Sequence, residues 1–510
     1  MGHLAMGTGT TLAAIYNTAV GYKSLEDITA GELNTGIGAN SLGSCTDGVR
    51  NTAVGNNSLM TNVSGDYNTA VGTLSLNLNS THNNTGIGYS AGEYTTGADN
   101  TYVGYLAGQG AAGAETLNTA VGSNALMAIV DAQENTAVGY KALTDNLTGD
   151  NNVAIGNNAL ENTTVALQNT AVGQEAMSGI TTNAVASAVA IGLAAFKGTS
   201  GTTTDASGTV AIGRDALKVL TSGEGNVAIG YQALDAEVTG DYSTAVGHQA
   251  LTAQTGIDGT VGNTAVGYNA GEAITTGKQN TFLGAFVGES TQDVDSAVAI
   301  GYAAMTSNNI TAAADGTVAI GTIALAALTT GAGNTAVGYS ALSAQDTGSR
   351  NLAIGYQSMD AAANAEDDNI AIGYDALGNM NNASSDKNIA IGNYAGDGIG
   401  TIGGTHNIFM GYDSGGGTWD TAVSNYNIGI GNYVMDAAMN GALNNTAIGY
   451  GALGAVTTGD NNTTLGFIAG GTISTGDNNI CIGSTANVSA SGADNQTVIG
   501  HATTGVADNS

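Results

Sequence analysis

One nine-residue stretch, NTAVGYKAL at residues 135–143, returns with small changes from one end of the chain to the other. Residues 226–234, for example, read NVAIGYQAL. With the glycine as position 0, we count about 29 copies between Gly7 and Gly500, mostly about 17 residues apart. A period of this size, sustained over a whole chain, is typical of a solenoid in which each repeat forms one coil. The sequence therefore predicts a single continuous solenoid domain over residues 1–510.

The composition indicates that the coils are built from β-structure. The chain has 79 glycines and no proline. A parallel ladder needs a backbone N–H from every coil, and proline would remove one, whereas glycine permits the tight corners. No stretch shows a helical period of useful length. We therefore expect an all-β fold, a parallel β-solenoid (β-roll or β-helix) of about 29 short coils.

Each copy contains a short segment with apolar residues at every second position. Position −1 is Val, Ile, Leu or Met in every copy, and position −3 is usually Thr, Val or Ile. This alternation predicts a strand whose −1 side chains form the apolar core. Position −2 is mostly Ala and is expected on the opposite face, with the exceptions Tyr102, Phe282, Phe409 and Cys481 marking local bulges. On this register, Ile229→Asp would bury an unpaired charge.

Two further columns follow from the repeat. Position −4 is Asn in about 22 copies, and stacked asparagines can form an amide ladder that also bonds the corner backbone. Position +1 is Tyr in about a dozen copies. A tyrosine row could bind sugars, but stacking along the solenoid is the favoured interpretation. Inserted loops are expected where the repeat is least regular, near residues 181–209, 252–262 and 397–426, the last of which contains Trp419.

Charge and targeting signals limit the possible partners. Nine basic and 41 acidic residues give a net charge of -32, which argues against binding to nucleic acid. The longest uncharged and mostly apolar run, residues 184–196, is too short to span a bilayer, so no membrane insertion is expected. Met1 is followed directly by a degraded repeat, so no signal peptide is predicted. Cys45 and Cys481 are too distant in the repeat to form a disulfide.

Motifs that would indicate catalysis or ligand binding lack their context. Residues 398–403 fit G-x-G-x-x-G, but no helix-forming segment follows them. The acidic corners at 366–369 and 477–479 could bind Ca²⁺, but without the calcium-binding nonapeptide pattern turn chemistry is favoured. The histidines show no pair at metal-ligand spacing; they are His3, His82, His248, His406 and His501. We expect no enzyme and no catalytic, cofactor-binding or metal-binding residues.

The repeat resembles two related kinds of protein. Residues 187–192 and 296–301 resemble the S-V-A-I-G repeat in the heads of trimeric autotransporter adhesins. Residues 280–284, NTFLG, and the NTAVGYxAL copies resemble the repeat shafts of phage tail fibres. The resemblance covers essentially the whole chain and implies a β-roll packed as a homotrimer. The coiled-coil stalk and membrane-anchoring barrel of the adhesins, and the self-cleaving chaperone domain of many phage fibres, are not found in this sequence.

The resemblance implies a structural role. We expect the rigid shaft of a phage tail fibre or virion appendage involved in host attachment, located in the virion or outside the cell. The alternative is a bacterial surface adhesin or a self-assembling extracellular filament. The expected partners are further copies of the chain and a cell-surface glycan or receptor. Because repeats begin at residues 3–7 and end at residues 496–500, we also expect copies to stack head to tail.

Overall fold

The structure is a computed structural model, and the residues that it describes are 5–6, 14–111, 113–181, 185–198, 206–255, 259–307 and 310–506. The chain divides into two compact units, Met1–Gln249 with Thr255–Val261 and Ala250–Gln254 with Gly262–Ser510. Both units are built from β-strands and turns, and the one helical element in the described part is a 3₁₀ turn at Ala312–Ala314. The single continuous domain predicted from the sequence stays a prediction.

The first unit contains fourteen three-residue strands and a two-stranded accessory pair, β14 with β16. Its strands are β1 (Thr18–Val20), β2 (Thr35–Ile37), β3 (Thr52–Val54), β4 (Thr69–Val71), β5 (Thr85–Ile87), β6 (Thr101–Val103), β7 (Thr119–Val121), β8 (Thr136–Val138), β9 (Val153–Ile155), β10 (Thr170–Val172), β11 (Val189–Ile191), β12 (Val210–Ile212), β13 (Val227–Ile229), β14 (Gly240–Asp241), β15 (Thr244–Val246) and β16 (Gly259–Thr260).

The second unit contains another fourteen three-residue strands. They are β17 (Thr264–Val266), β18 (Thr281–Leu283), β19 (Val298–Ile300), β20 (Val318–Ile320), β21 (Thr335–Val337), β22 (Leu352–Ile354), β23 (Ile370–Ile372), β24 (Ile389–Ile391), β25 (Ile408–Met410), β26 (Ile428–Ile430), β27 (Thr446–Ile448), β28 (Thr463–Leu465), β29 (Ile480–Ile482) and β30 (Thr497–Ile499).

Within each unit every three-residue strand pairs in parallel with the strand of the next coil. Equivalent repeat positions lie opposite each other, as between β8 and β9, where Ala137 pairs with Ala154 and Val138 with Ile155. Each repeat position therefore forms a column of like residues. The predicted parallel β-solenoid is confirmed, with 28 strands that match the copies from Gly21 to Gly500. Of the first copy, at residues 3–7, only residues 5 and 6 are described.

The predicted core column at position −1 is wrong. The middle residue of each strand, at −2, is buried in every three-residue strand after β1, whereas the residues at −3 and −1 face outward. Ala228 is completely buried, and its neighbour Ile229 is 37% exposed. Ile229→Asp would therefore not place a charge inside the coil. The strands do alternate with a period of two, but the small side chains at −2 point inward and the larger ones at −1 and −3 point outward.

The size of the coil explains this register. In the coil that contains Gly139, the interior already holds the buried side chains of Leu143 at +4 and Asn146 at +7. A coil of about 17 residues encloses little more than these, so only a methyl group fits opposite them at −2. Ala137 provides it. The larger β-branched residues have no room inside and project outward.

The aromatic exceptions at −2 also point into the coil. Tyr102 is completely buried. Position +4, where leucine is usual, is glycine both in its own coil, at Gly108, and in the preceding coil, at Gly92. A Cβ atom at Gly108 would lie 2.2 Å from the Tyr102 ring, and one at Gly92 would lie 2.7 Å from it. The same exchange of leucine for glycine accompanies Phe282, with Gly271 and Gly288, and Phe409, with Gly396 and Gly415. Each aromatic side chain at −2 thus fills the space that a leucine at +4 occupies in other coils. The prediction that these residues mark bulges on an abutting outer face is wrong.

The asparagine column at −4 forms the predicted ladder. Asn152 is buried, and its Nδ2 donates to Oδ1 of Asn135 at 3.0 Å and to the carbonyl oxygen of Ala166 at 2.7 Å. Its own Oδ1 accepts the N–H of Asn169 at 3.0 Å. The amide thus joins the coil before it, the corner backbone and the coil after it. A buried polar side chain is stable here because its donors and its acceptor are all used.

The glycine at position 0 has a steric cause. Gly139 has φ +137°, and a Cβ atom there would lie 2.4 Å from the carbonyl oxygen of Gly156 in the next coil. Both the backbone conformation and the space therefore require glycine. Position +4 also has positive φ, with φ 54° at Leu143. Leucine is tolerated there because burial of its side chain offsets the cost of the left-handed backbone.

Two of the three irregular segments extend beyond the described part of the chain, at residues 182–184, 199–205 and 256–258. The third, residues 397–426, contains β25 and encloses Trp419, which is 1% exposed and packs edge-on against Phe409 with ring centroids 6.0 Å apart. The insertion thus enlarges the interior of its coils. Cys45, in the first unit, and Cys481, in the second, are buried free thiols, and burial raises the pKa of each to about 11.

Candidate functional site

The outward positions −3 and −1 of the strands form a surface that we call the outer strand face. Ile155 is 40% exposed and Leu283 is 46% exposed, and the −3 residues beside them are half-buried. None of the 28 three-residue strands contains a charged residue, although the chain has 50 of them. Each unit therefore carries a regular, uncharged, largely apolar stripe two residues wide. An apolar surface this continuous is unusual on a monomer and is typical of a protein interface.

A row of aromatic side chains follows the strands at position +1. The longest runs along eight consecutive coils of the second unit, with neighbouring ring centroids 4.9–5.8 Å apart. Its members are Tyr339, Tyr356, Tyr374, Tyr394, Tyr412, Tyr433, Tyr450 and Phe467. Tyr394 and Tyr433 stand at +2, so the sequence pattern at +1 misses them. In the first unit Tyr89 stacks on Tyr105 at 5.6 Å.

The aromatic row stacks in the way that the sequence analysis favoured. The rings of Tyr339, Tyr356 and Tyr374 lie nearly parallel to one another, with interplanar angles of 15° and 10° between neighbours. Both faces of the Tyr356 ring are covered by these two neighbours and are not free for a sugar ring. Offset and edge-on aromatic pairs stabilise a fold by about 0.5–1.5 kcal/mol each, and this row does so between coils.

The acidic corners serve the backbone of neighbouring coils. Oδ1 of Asp477 accepts the N–H of Asp460 at 2.8 Å, and Oδ1 of Asp460 accepts the N–H of Leu443 at 2.7 Å. Nε of Arg350 lies 2.6 Å from Oδ1 of Asp368. Across the described ranges, no three His, Cys, Asp or Glu residues are grouped so that they could hold a metal ion. The geometry is that of turn-forming side chains.

The histidines are distributed over separate surface positions. Nδ1 of His82 lies 3.5 Å from Oδ2 of Asp66. The ring of His248 stacks on Tyr231, and that of His406 on Tyr426, each with centroids 5.0 Å apart. His501 is exposed, and His3 lies outside the described residues. Residues 398–403 form turns, and the next regular element is strand β25, so the helix that a dinucleotide site needs does not follow them.

Two carboxyl groups whose pKa is raised to about 7 were not found by sequence reasoning. Glu115 is 1% exposed; its Oε1 accepts the N–H of Thr96 at 2.9 Å, and Oε2 has no hydrogen-bond partner among the described residues. Burial raises the pKa of Glu115 to about 7. Burial, and then the charges of Asp413 and Asp375, raise the pKa of Asp397 to about 7. Glu115 stands at position −7, where most coils have glycine or alanine, and this departure is the sequence signal. Glu366, which is also buried, occupies the same position.

We expect Glu115→Gln to reduce the pH dependence of stability in the first unit. Because the folded-state pKa of Glu115, about 7, exceeds its usual 4.5, its contribution is complete below pH 4.5 and is lost as pH rises to 7. The loss is on the order of 2–3 kcal/mol. Amide hydrogen exchange at pH 5 and pH 8, corrected for intrinsic rates, measures it. Glu134→Gln, at an exposed carboxylate of the same unit, is the control. An unchanged pH dependence in Glu115→Gln contradicts the assignment.

Comparison with protein-family models gives no match for this chain, and comparison with curated proteins gives none either. Within the described ranges, no helix has the length and apolar character needed to cross a membrane. Function is therefore inferred from the surfaces of the molecule itself, and above all from the outer strand face.

Proposed function

We propose that the chain is a structural fibre protein, the shaft of a phage tail fibre or related virion appendage, and that it assembles as a homotrimer through the outer strand face. The observation that carries the proposal is this uncharged apolar stripe, which continues over fourteen strands in each unit. A shaft of this kind holds a receptor-binding surface away from the particle and acts in the virion or outside the cell.

The energetics favour association along this face. Completing the burial of a Val or Ile side chain stabilises a complex by about 1 kcal/mol or more, since full burial contributes about 1.5–3 kcal/mol. With one Val, Ile, Leu or Met at −1 in each of the fourteen strands of a unit, even partial burial offsets the entropic cost of association, about 4–15 kcal/mol. The side chains are mostly β-branched and lose little rotamer freedom when they become buried.

A second copy of the chain is the partner that fits this face best. The residues at −3 and −1 recur once per coil, so a partner must present apolar groups at the same spacing over a comparable length. Another copy of the same ladder has this spacing. The acidic residues that give the net charge of -32 lie outside the three-residue strands, so charge repulsion opposes association elsewhere and spares this face.

A triple substitution on the outer strand face tests the proposal. The unmodified protein should have a mass of about three times 50.0 kDa by native mass spectrometry or light scattering. Ile155→Asp, Ile191→Asp and Ile229→Asp together should leave each coil folded, since these side chains are 37–40% exposed in the single chain. They should weaken the trimer at least about a hundredfold, because each buried and unpaired carboxylate opposes association.

The control places the same change at equally exposed apolar residues on another side of the coil. Leu33, Leu117 and Tyr242 stand at position −5 and are 43–54% exposed. Their replacement with Asp should leave the trimer intact, since Asp99 and Asp368 occupy this position naturally. A monomeric unmodified protein, or equal dissociation of both triple variants, would exclude this interface. Neighbouring tail and baseplate genes, as opposed to secretion genes, would distinguish a phage fibre from a bacterial surface adhesin.

A further inference from the structure

The second unit has a cavity beside its only tryptophan. The cavity has a volume of about 400 Å³ and lies where the irregular segment 397–426 widens the coils. Three successive coils contribute to its wall. The residues that matter for its chemistry are Asn379 from the first coil, Asp397, Gly398 and Thr401 from the second, and Trp419 and Asp420 from the third.

Two polar atoms of the cavity wall lack hydrogen-bond partners among the described residues. One is the indole Nε1 of Trp419, a donor on a side chain that is 99% buried, and the other is Oδ1 of Asp397, an acceptor. Buried polar groups in folded proteins are almost always paired, and leaving them unpaired is costly. A donor and an acceptor left together at one cavity indicate a ligand that supplies both an acceptor and a donor.

The charged residues in the cavity wall limit which ligands can bind. Asp397 and Asp420 line the cavity, whereas no Lys, Arg or His does, so an anionic ligand would be repelled. The absence of any metal-holding group among the described residues argues against a bound cation as the main ligand. Since the pKa of Asp397 is raised to about 7 by burial and by Asp413 and Asp375, its carboxyl group carries a proton for part of the time at neutral pH. It can then donate as well as accept a hydrogen bond.

We propose that this cavity binds a neutral saccharide unit. Sugar hydroxyls can accept the Nε1–H of Trp419 and donate a hydrogen to Asp397, so a saccharide supplies both of the missing partners. The site goes beyond the proposed shaft function and does not depend on trimerisation, because all of its residues belong to one unit of one chain. It would give the chain a lateral binding site for glycans.

The glycines of residues 398–403 acquire a role in this site. A Cβ atom at Gly398 would lie 2.6 Å from Nε1 of Trp419, so a larger residue there would cover the indole donor. Gly400 also lines the cavity. The run that resembles a dinucleotide motif by its letters thus keeps the wall open beside Trp419.

The test uses the full chain and exploits its single tryptophan. Because Trp419 is the only one, its fluorescence reports directly on the cavity. We expect galactose, glucose, mannose or N-acetylglucosamine to change the emission saturably, with a dissociation constant in the millimolar range that is typical of a few hydrogen bonds. N-acetylneuraminic acid, the anionic comparison, should bind more weakly, because Asp397 and Asp420 line the cavity. Glucosamine, the cationic comparison, tests whether charge alone accounts for binding.

Variants are compared by saturation-transfer NMR, which does not need the indole signal. Trp419→Phe keeps the ring but removes the donor, and Asp397→Asn removes the carboxyl group; each should weaken saccharide binding by about tenfold. Asp360→Asn is the control, since Asp360 stands at the same repeat position, +5, outside the cavity. The proposal is overturned if no neutral sugar binds, if glucosamine alone binds, or if all three variants bind like the unmodified protein. None of these results would affect the oligomeric state, which tests the shaft function separately.

Discussion

Gly139→Ala is expected to destabilise the surrounding coils of the first unit by about 1.5–4.5 kcal/mol. The residue has φ +137°, a region that is nearly restricted to glycine and costs about 1–3 kcal/mol for other residues. The added methyl group would also lie 2.4 Å from the carbonyl oxygen of Gly156. Relief of that contact would separate the two coils and lengthen the bond from the Gly156 N–H to the Val138 oxygen, now 2.8 Å. Weakening such a bond costs about a further 0.5–1.5 kcal/mol.

The measurement must be local, because each coil of a solenoid contacts only its neighbours. Hydrogen exchange of peptides that cover β7 to β9 should increase strongly in Gly139→Ala and little elsewhere. Gly208→Ala is the matched control: Gly208 has φ +68°, and a Cβ atom there would meet nothing within 4 Å. It should cost only about 1–2 kcal/mol, the usual penalty for left-handed backbone. Equal effects of the two substitutions would show that backbone conformation, and not contact between coils, is the reason for glycine at position 0.

The architecture could be predicted from the sequence because the fold repeats a local pattern. A constant spacing of glycines leads to in-register stacking, and stacking places Asn135, Asn152 and Asn169 one above another, which makes the amide ladder a direct consequence. The absence of proline and the period-two segment then leave a parallel β-solenoid as the natural fold. Everything that depends only on repetition was accessible in this way.

The inward face of the strands was not accessible by the same reasoning. Hydrophobicity ranks Ile229 above Ala228, so a general preference for apolar cores selects the wrong side. The volume that remains inside the coil determines which strand face points inward. Other residues of the repeat take up most of it, such as Leu234 at +4 and Glu237 at +7, both fully buried. The exceptions contained the clue: Tyr102 at −2 coincides with glycine at +4, at Gly108, and such paired changes of volume indicate that two positions share one interior.

The candidate binding site was harder still to predict. The cavity beside Trp419 exists because coils of unequal length stack on one another, and its two unpaired atoms, on Trp419 and Asp397, are 22 positions apart in the sequence. No local pattern relates them. Glu115 was missed for a similar reason, since its burial follows from the enlarged coil that also holds Tyr102.

Ala228→Asp and Ile229→Asp, at adjacent positions of β13, are expected to have opposite kinds of effect. Ala228 is completely buried and pairs with Ala211 and Ala245 of the neighbouring strands, so an aspartate there would have only methyl groups beside it. Burying such a carboxyl group without partners costs at least about 3 kcal/mol, whether it ionises or takes up a proton. The coils around β13 should lose their protection from hydrogen exchange. Ile229→Asp changes a side chain that is already 37% exposed, and it should alter the stability of the single chain by about 0.5 kcal/mol.

Ala228→Gly provides the control for the loss of the methyl group alone. Glycine occupies position −2 naturally at Gly36, Gly86 and Gly429, so this variant should cost only about 0.5–1 kcal/mol. Hydrogen exchange of residues 225–236 distinguishes the three variants within one peptide. Ile229→Asp should weaken the trimer more directly than Ala228→Gly does, because Ile229 lies on the outer strand face and Ala228 does not. If Ile229→Asp unfolds the coil while Ala228→Asp leaves it protected, the core lies at −1 after all and the proposed interface is lost with it.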